Sequence, residues 1–544
     1  MRSPRCFRRA TESMPQIGYA HRQAPMGHGG MVASCHPLAS LAGVEVLKSG
    51  GTAADAAIAI NAVLAVTQPN YCGLGGDLFC LYYEAATRRV HALNGAGRSG
   101  SRAGLDELGR RGLSAVPMIG PGAVSVPGVT LAWTMLLERF GTRSLKTLLE
   151  PALRYALDGF PISDVVCQAI RERAKDVTDA EWHRVFAPGG VFPLTGQRFR
   201  QPDLGRTLAL LGEEPDLFYR GRVARAISER LRADGFVTAG DLASHDGEWG
   251  EPLATTYRRH TIYETQPPTQ GLATLLTLNL LEGFDVASYP VHSVEHLHLL
   301  IEMTKLAYAD RDRWVADPVH TELPLAALLD KEYAARRRAA FDPGKAQMYK
   351  FGDLDGGTTG FAVADDRGNV ASVIQSIYKS FGSTVVPPGT GVVLHNRGGY
   401  FNTDPAHPNC FAPRKHPFHT LLACIVTRDD RPALGYATMG GDGQAMFHTQ
   451  TLTNLLDYGM EIQEAIERPR FVCGPLDPGD VRDRVRIEGR VAPAVRERLG
   501  ELGHHVEVVS DWFARMGHAH GITLREGTLR GGADPRGDGA AIGY

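Results

Sequence analysis

Leu38, Leu41, Ala42 and Val46 recur at helical spacing, behind a proline at Pro37 suited to a first helical turn and ahead of a stop at Gly50-Gly51. Thr52-Ala53-Ala54-Asp55 has the form of a capping box. The alanine- and valine-rich run that it opens, to Val66, predicts a second helix whose small side chains suit close packing against a sheet. Asp77 to Glu84 then reads as an apolar strand.

The middle of the chain is mostly helical in pattern. Leucines between Glu295 and Trp314 predict a long helix capped by Ser293, downstream of a loop at Pro267-Pro268. The charged stretch Lys331 to Lys345 also reads as helical, and the polar, glycine-rich FGDLDGGTTG follows it. From Phe361 the period changes. FAVAD and VASVIQSIY flank the turn Asp366-Arg367-Gly368-Asn369, which predicts a hairpin. Further strands are expected at Gly391–Leu394, Ala423–Thr427 and Ala433–Ala437. Helix-rich first and strand-rich later, with antiparallel pairs, points to sheets sandwiched by helices. The ordered fold is expected to begin near Gly30, with residues 1–29 as a flexible arm.

Composition narrows the function classes. At 544 residues, one large domain or two intimate ones are expected. A formal net charge of −2 and the lack of a long basic block argue against nucleic-acid binding. No apolar run is long enough to span a bilayer. The basic first stretch lacks the apolar core of a secretory signal, so a cytoplasmic protein is expected. The eight cysteines form no CxxC pair or Cys/His pattern, so neither a metal site nor a disulfide framework is expected. HExxH and GxSxG are both absent.

Taken alone, the run Gly356-Gly357-Thr358-Thr359-Gly360 before a strand is an ordinary loop. Its company changes that reading: GTAADAAIAINAVLAVTQP, GLGGDLFCLYY, PGAVSVPG, EPALRYALDGFPIS, EMTKLAYADR, TTGFAVAD and a late GGDG. In this order, from Gly30 almost to the C-terminus, the set resembles the γ-glutamyltransferase family. The resemblance implies an α+β fold, the four-layer αββα sandwich of N-terminal-nucleophile hydrolases, with two stacked antiparallel sheets. It implies self-cleavage between Gly357 and Thr358, giving a large subunit, 30–357, and a small one, 358–544, intertwined as a heterodimer. Whether such units pair further is left open, and no cofactor is implied.

By the same resemblance Thr358 is the nucleophile and Ser376 a hydroxyl beside it. Gly440 and Gly441 form the oxyanion hole, and Thr359 supports the new N-terminus. A threonine hydroxyl needs a base, and its own α-amine, with a pKa of about 8, can serve once it is terminal. Gly73-Leu74-Gly75-Gly76 matches no nucleotide loop and reads as structural.

The family's glutamyl clamp is altered. Its carboxylate-gripping arginine aligns with Ala96, leaving Arg98 two residues on. Its ammonium-binding aspartate falls near Tyr400, and a Ser-Ser pair becomes His419-Thr420. Arg397 adds a cation, read either as a structural ion pair or as a ligand contact. QSIY, NRGGYF, PFHT and TMGGDGQ resemble a subgroup containing oxamate amidohydrolase. The expected activity is hydrolysis of a small carboxylate-bearing amide. The alternatives are γ-glutamyl hydrolysis or transfer on glutathione-like compounds, and a non-catalytic binding protein.

Overall fold

The computed structural model describes residues 22–347, 357–476, 481 and 483–544. Two seven-stranded sheets form its centre. The first runs, in spatial order, through Met26–Gly27, Thr528–Ala533, Ala519–Arg525, Arg431–Thr438, Ala423–Arg428, His260–Glu264 and Leu253–Tyr257. The second runs through Ala540–Gly543, Met31–Ser34, Gly357–Ala364, Val370–Tyr378, Asp77–Glu84, Arg89–Asn94 and Glu248–Gly250. Neighbours in both are antiparallel.

The period-2 alternation decides which side chains meet. In the second sheet Ala362, Ala364, Ile374, Phe79 and Leu81 face Leu421, Ala423 and Ile425 of the first, forming the layer between the sheets. Their alternates Phe361, Val363, Val373, Cys80 and Tyr82 pack outward under helices Pro37–Lys48, Ala53–Thr67 and Leu145–Asp158. On the other side, Cys424, Val426 and Tyr436 pack under helices Gly271–Leu281, Val294–Trp314 and Gln444–Leu456. This is the expected four-layer αββα sandwich. Helix Ala53–Thr67 is buried along its whole length, and Thr52 and Asp55 close the capping box. Ser293 caps the Val294–Trp314 helix by accepting from the His296 N–H.

Three expectations are corrected. The arm ends earlier than Gly30: Met26-Gly27 pairs with Arg530 and Leu529, and the His28 and Gly29 N–H groups donate to the Tyr544 oxygen at 2.9 and 2.8 Å. Main-chain bonds hold this edge, so no apolar pattern announces it; residues 1–21 of the arm lie outside the described residues, as do residues 348–356, which include FGDLDG. The charged helix stops at Arg338, before Asp342-Pro343-Gly344, where proline could not continue it. Gly391–Leu394 is not a strand; it makes one bridge, Leu394 to Gly75. Gly391 sits at φ +66 against the Leu204 main chain, which breaks the extended run.

The sheets approach closely where the Gly357–Ala364 strand crosses the end of Arg431–Thr438. A Cβ on Gly360 would stand 2.8 Å from Ala437 Cβ and 3.0 Å from Ile374 Cδ1. Gly360→Val is therefore expected to lower stability by about 1–3 kcal/mol through overpacking. A thermal melt checks this, and an unchanged Tm would mean that the sheets part freely.

Candidate active site

The rows facing the inter-sheet layer are apolar along most of their length and turn polar at one end. Thr358 precedes Gly360 and Ala362, Ser376 follows Ile374, Asp77 precedes Phe79, and His419 precedes Leu421. All four polar residues are buried. Ser376 and Asp77 are direct cross-strand partners, so their side chains share a face. The Thr358 hydroxyl donates to Ser376 Oγ at 3.2 Å, and Ser376 Oγ accepts the Tyr378 N–H at 2.7 Å. Gly357 in turn is the cross-strand partner of Tyr378. Thr359 points the other way, towards the Cys72 thiol.

Gly440 and Gly441 follow the Arg431–Thr438 strand and lead into the Gln444–Leu456 helix. Their φ angles are +132 and +56, and a Cβ on Gly440 would stand 2.5 Å from the Phe447 ring. Conformation and space both require glycine at Gly440, and the positive φ favours it at Gly441. Among the described residues neither N–H has a hydrogen-bond partner. Free N–H groups ahead of a helix suit an anion. The Gly441 and Thr420 carbonyls both accept from Gln270 Nε2, at 3.0 and 2.9 Å, which ties the glycine turn to Thr420.

Arg397 sits between these pieces. It is 1% exposed, and its Nη1 donates to Thr420 Oγ1 at 3.2 Å. Its Cζ lies 4.2 Å from the centre of the Tyr378 ring. Nε and Nη2 have no hydrogen-bond partner, and no described carboxylate pairs with it. Burial pulls its pKa below the usual guanidinium value; it still carries its charge at neutral pH.

Two further buried charge groups adjoin it, and sequence reasoning missed their key members. Asp77 Oδ2 lies 2.9 Å from His395 Nδ1 and 3.5 Å from His419 Nε2. Burial pushes the Asp77 carboxyl up, but His395, His419 and the Gly97 N–H outweigh it and hold it below the usual carboxylate range. Burial, with Arg397 nearby, holds His419 well below the usual imidazole value, so it is neutral. The second group centres on Asp442, whose Oδ1 accepts from Arg311 Nη1 at 3.0 Å and from the Tyr400 hydroxyl at 2.5 Å. Burial pushes Asp442 up to about 6, against the opposing pull of Arg311 and Tyr400. Asp77 was legible only as a charge opening an apolar strand, and Asp442 as part of TMGGDGQ.

Of the residues singled out in the sequence, Thr358, Ser376, Gly440, Gly441, Arg397, Tyr400, His419 and Thr420 converge here. Tyr400 is turned to Asp442 and stacked on Phe418. Arg98 stands apart from the ring of contacts: its Nη1 pairs with the exposed Asp246 at 2.5 Å. Gly75 and Gly76 lie against the Val393 and Ser376 carbonyls, where a Cβ would come within 2.1 and 2.3 Å. Both positions exclude a side chain.

Two other clusters gather metal-type donors. In His298, Glu302 and His504, the Lys305 ammonium stands 2.8 Å from Glu302 and 3.3 Å from His504, so the cation is already supplied. In Glu264, Cys424 and His448, Glu264 and His448 are 2.8 Å apart. Two ligands about 2.0–2.1 Å from one tetrahedral zinc would stand roughly 3.3 Å apart. This pair is a hydrogen bond.

A buried threonine hydroxyl on a central strand, and a glycine turn with unpaired N–H groups, within a two-sheet sandwich fit the plan of an N-terminal-nucleophile hydrolase. The chain belongs to the gamma-glutamyltranspeptidase family, whose sequence profile matches residues 39–544. It is 40% identical over 519 residues to the glutathione hydrolase-like YwrD proenzyme of Bacillus subtilis, covering 94% of this chain and 98% of that one. It is 36% identical over 525 residues to the oxamate amidohydrolase proenzyme of Klebsiella pneumoniae, covering 95% and 98%. The crystal structure of cephalosporin acylase from Bacillus halodurans superposes with a TM-score of 0.91 at 33% identity, covering 99% of each chain. The protein is thus a hydrolase of this family. No helix among the described residues is long and apolar enough to cross a membrane.

Asp442 gives the site a pH dependence with a definite sign. Its carboxylate, ionised above about 6, holds Tyr400 and Arg311 beside the Gly440-Gly441 turn. Activity is expected to fall on the acid side of that value. The Tyr400 hydroxyl lowers the Asp442 pKa, so Tyr400→Phe should move the acid limb of kcat/KM to higher pH. A profile unmoved by Tyr400→Phe and by Asp442→Asn would assign the limb to another group.

Proposed function

We propose that the chain cuts itself between Gly357 and Thr358, and that Thr358 then hydrolyses the amide of a small carboxylate-bearing substrate such as oxamate. The observation that carries the substrate class is the free edge of Arg397. Nε and Nη2 share one edge of the planar guanidinium, the edge that grips a carboxylate through two parallel N–H···O bonds. Both are buried without a partner. A buried cation left in that condition is costly unless a ligand completes it.

In maturation the Thr358 hydroxyl attacks the Gly357 carbonyl, and water hydrolyses the resulting ester. This frees the Thr358 amine and a large subunit ending at Gly357. In turnover the amine takes the hydroxyl proton as Oγ attacks the substrate amide. The Gly440 and Gly441 N–H groups hold the oxyanion, worth about 10²–10³-fold in rate per donor. The amine passes the proton to the departing amine or ammonia, Thr358 keeps the acyl group as an ester, and water releases the acid. Ser376 orients the nucleophile.

A γ-glutamyl substrate is the second reading. Asp442 Oδ2 is buried without a hydrogen bond and could receive an α-ammonium. Arg311 already balances that carboxylate, and for this reason the oxamate-like reading stands first. The relatives' names point both ways, to glutathione and to oxamate.

Intact-mass measurement should find two fragments, the smaller starting at Thr358, and a single uncut chain for Thr358→Ala. An uncut wild-type chain would remove the nucleophile assignment. Ammonia release from oxamate, beside hydrolysis of a γ-glutamyl anilide, separates the substrates, and activity on the anilide alone would select the second reading. Arg397→Met should still self-cleave but lose roughly 10²–10³-fold in kcat/KM on oxamate.

A further inference from the structure

We infer that Tyr378 is a positioning residue that couples the carboxylate clamp to the nucleophile: its ring fixes the plane of Arg397, and its main-chain N–H fixes Ser376 beside Thr358. The inference rests on the reading of Arg397 as the clamp.

Tyr378 ends the Val370–Tyr378 strand at φ +74, a region that bulky residues rarely enter. Such a conformation persists only where surrounding contacts over-determine it, as at functional sites. Here both halves of the residue are held. The main-chain N–H donates to Ser376 Oγ at 2.7 Å, while across the ladder Tyr378 faces Gly357. The N–H is thus directed at the hydroxyl beside Thr358, while the positive φ sets the direction in which the ring leaves that amide. The ring is buried, with the Tyr400 ring 5.4 Å away at 61° and the Arg397 guanidinium over its face.

Arg397 needs that support. Its one hydrogen bond to the protein is Nη1 to Thr420, and a single bond at one corner leaves the plane free to swing about it. Two-pronged recognition of a carboxylate requires a fixed plane. The aromatic face supplies it and favours the cation, without occupying the Nε–Nη2 edge. One residue therefore sets both the orientation of the clamp and its register to the reacting hydroxyl.

The test compares Tyr378→Phe, Tyr378→Leu, Tyr378→Met and Tyr378→Gly with wild type, thermal melting confirming that each folds. Self-cleavage is followed by intact mass. Kinetics are measured on oxamate and on oxamide, its neutral near-isostere. Tyr378→Phe keeps the ring and should behave as wild type. Tyr378→Leu and Tyr378→Met should raise KM for oxamate and cut the oxamate-to-oxamide preference by about tenfold, the scale of a desolvated cation–π contact, with self-cleavage retained. Tyr378→Gly also releases the left-handed constraint, so self-cleavage and kcat should fall with it. The inference is overturned if Tyr378→Leu and Tyr378→Met keep the preference, or if Tyr378→Gly matures and turns over like wild type. A wild type with no preference, or one that Arg397→Met leaves intact, would instead sink the clamp itself.

Discussion

The space between the two sheets sets the terms for everything else in the molecule. At Gly360 and Ala437 the strands stand so close that one added methyl would collide. Gly435 is confined in the same way, since a Cβ there would stand 2.6 Å from Val370 Cγ1. Polar groups bridge the gap as well. Ser372 Oγ donates to the Tyr436 carbonyl at 2.7 Å and accepts the Cys424 N–H at 3.2 Å, so one hydroxyl pins one sheet to two strands of the other. A gap this narrow and dry makes the polar ends of its rows unusual. Thr358, Ser376, Asp77 and His419 share a low-dielectric environment in which each interaction is stronger than it would be in water.

The buried charges show how that environment is managed. Asp77 lies against His395 and accepts the Gly97 N–H, and Asp442 meets Arg311 and Tyr400. The large network that holds the C-terminal strands, Arg470 with Asp534 and Arg536 with Glu488, is likewise paired. Removing one member of such a pair leaves an uncompensated charge and costs several kcal/mol, about 3–5. Arg397 departs from the rule: it has an aromatic face and a hydroxyl, and Asp77 and Asp442 favour its charge, but no described carboxylate pairs with it.

The family relationship and the site agree on the chemistry and differ in what they say about the substrate. The nucleophile strand, its hydroxyl neighbour and the glycine turn follow the motif order seen along the sequence. Around them, Ala96 is buried and Arg98 is turned to Asp246. A cation has instead arisen at Arg397, on the far side of the pocket's chain order.

The sequence by itself determined the local structure and the order of the parts. The capping box at Thr52, the Ser293 cap, the hairpin around Gly368 and the shift from helical to strand period at Phe361 all depend on neighbours within a few residues. They could be read for that reason. Thr358, Ser376 and Gly440-Gly441 were legible through motif order. Where local signals were weak the reading slipped, as at Met26-Gly27, held by main-chain bonds alone, and at Gly391, whose positive φ leaves no mark in hydropathy. Only the tertiary structure decided that Arg397 meets Tyr378 and Thr420, that Asp77 meets His395 and His419, and that Asp442 meets Arg311. These partners are far apart in sequence or on different sheets, and their meeting is fixed by strand register and sheet stacking. A polar residue at the end of an apolar row becomes a site only when the other rows end beside it.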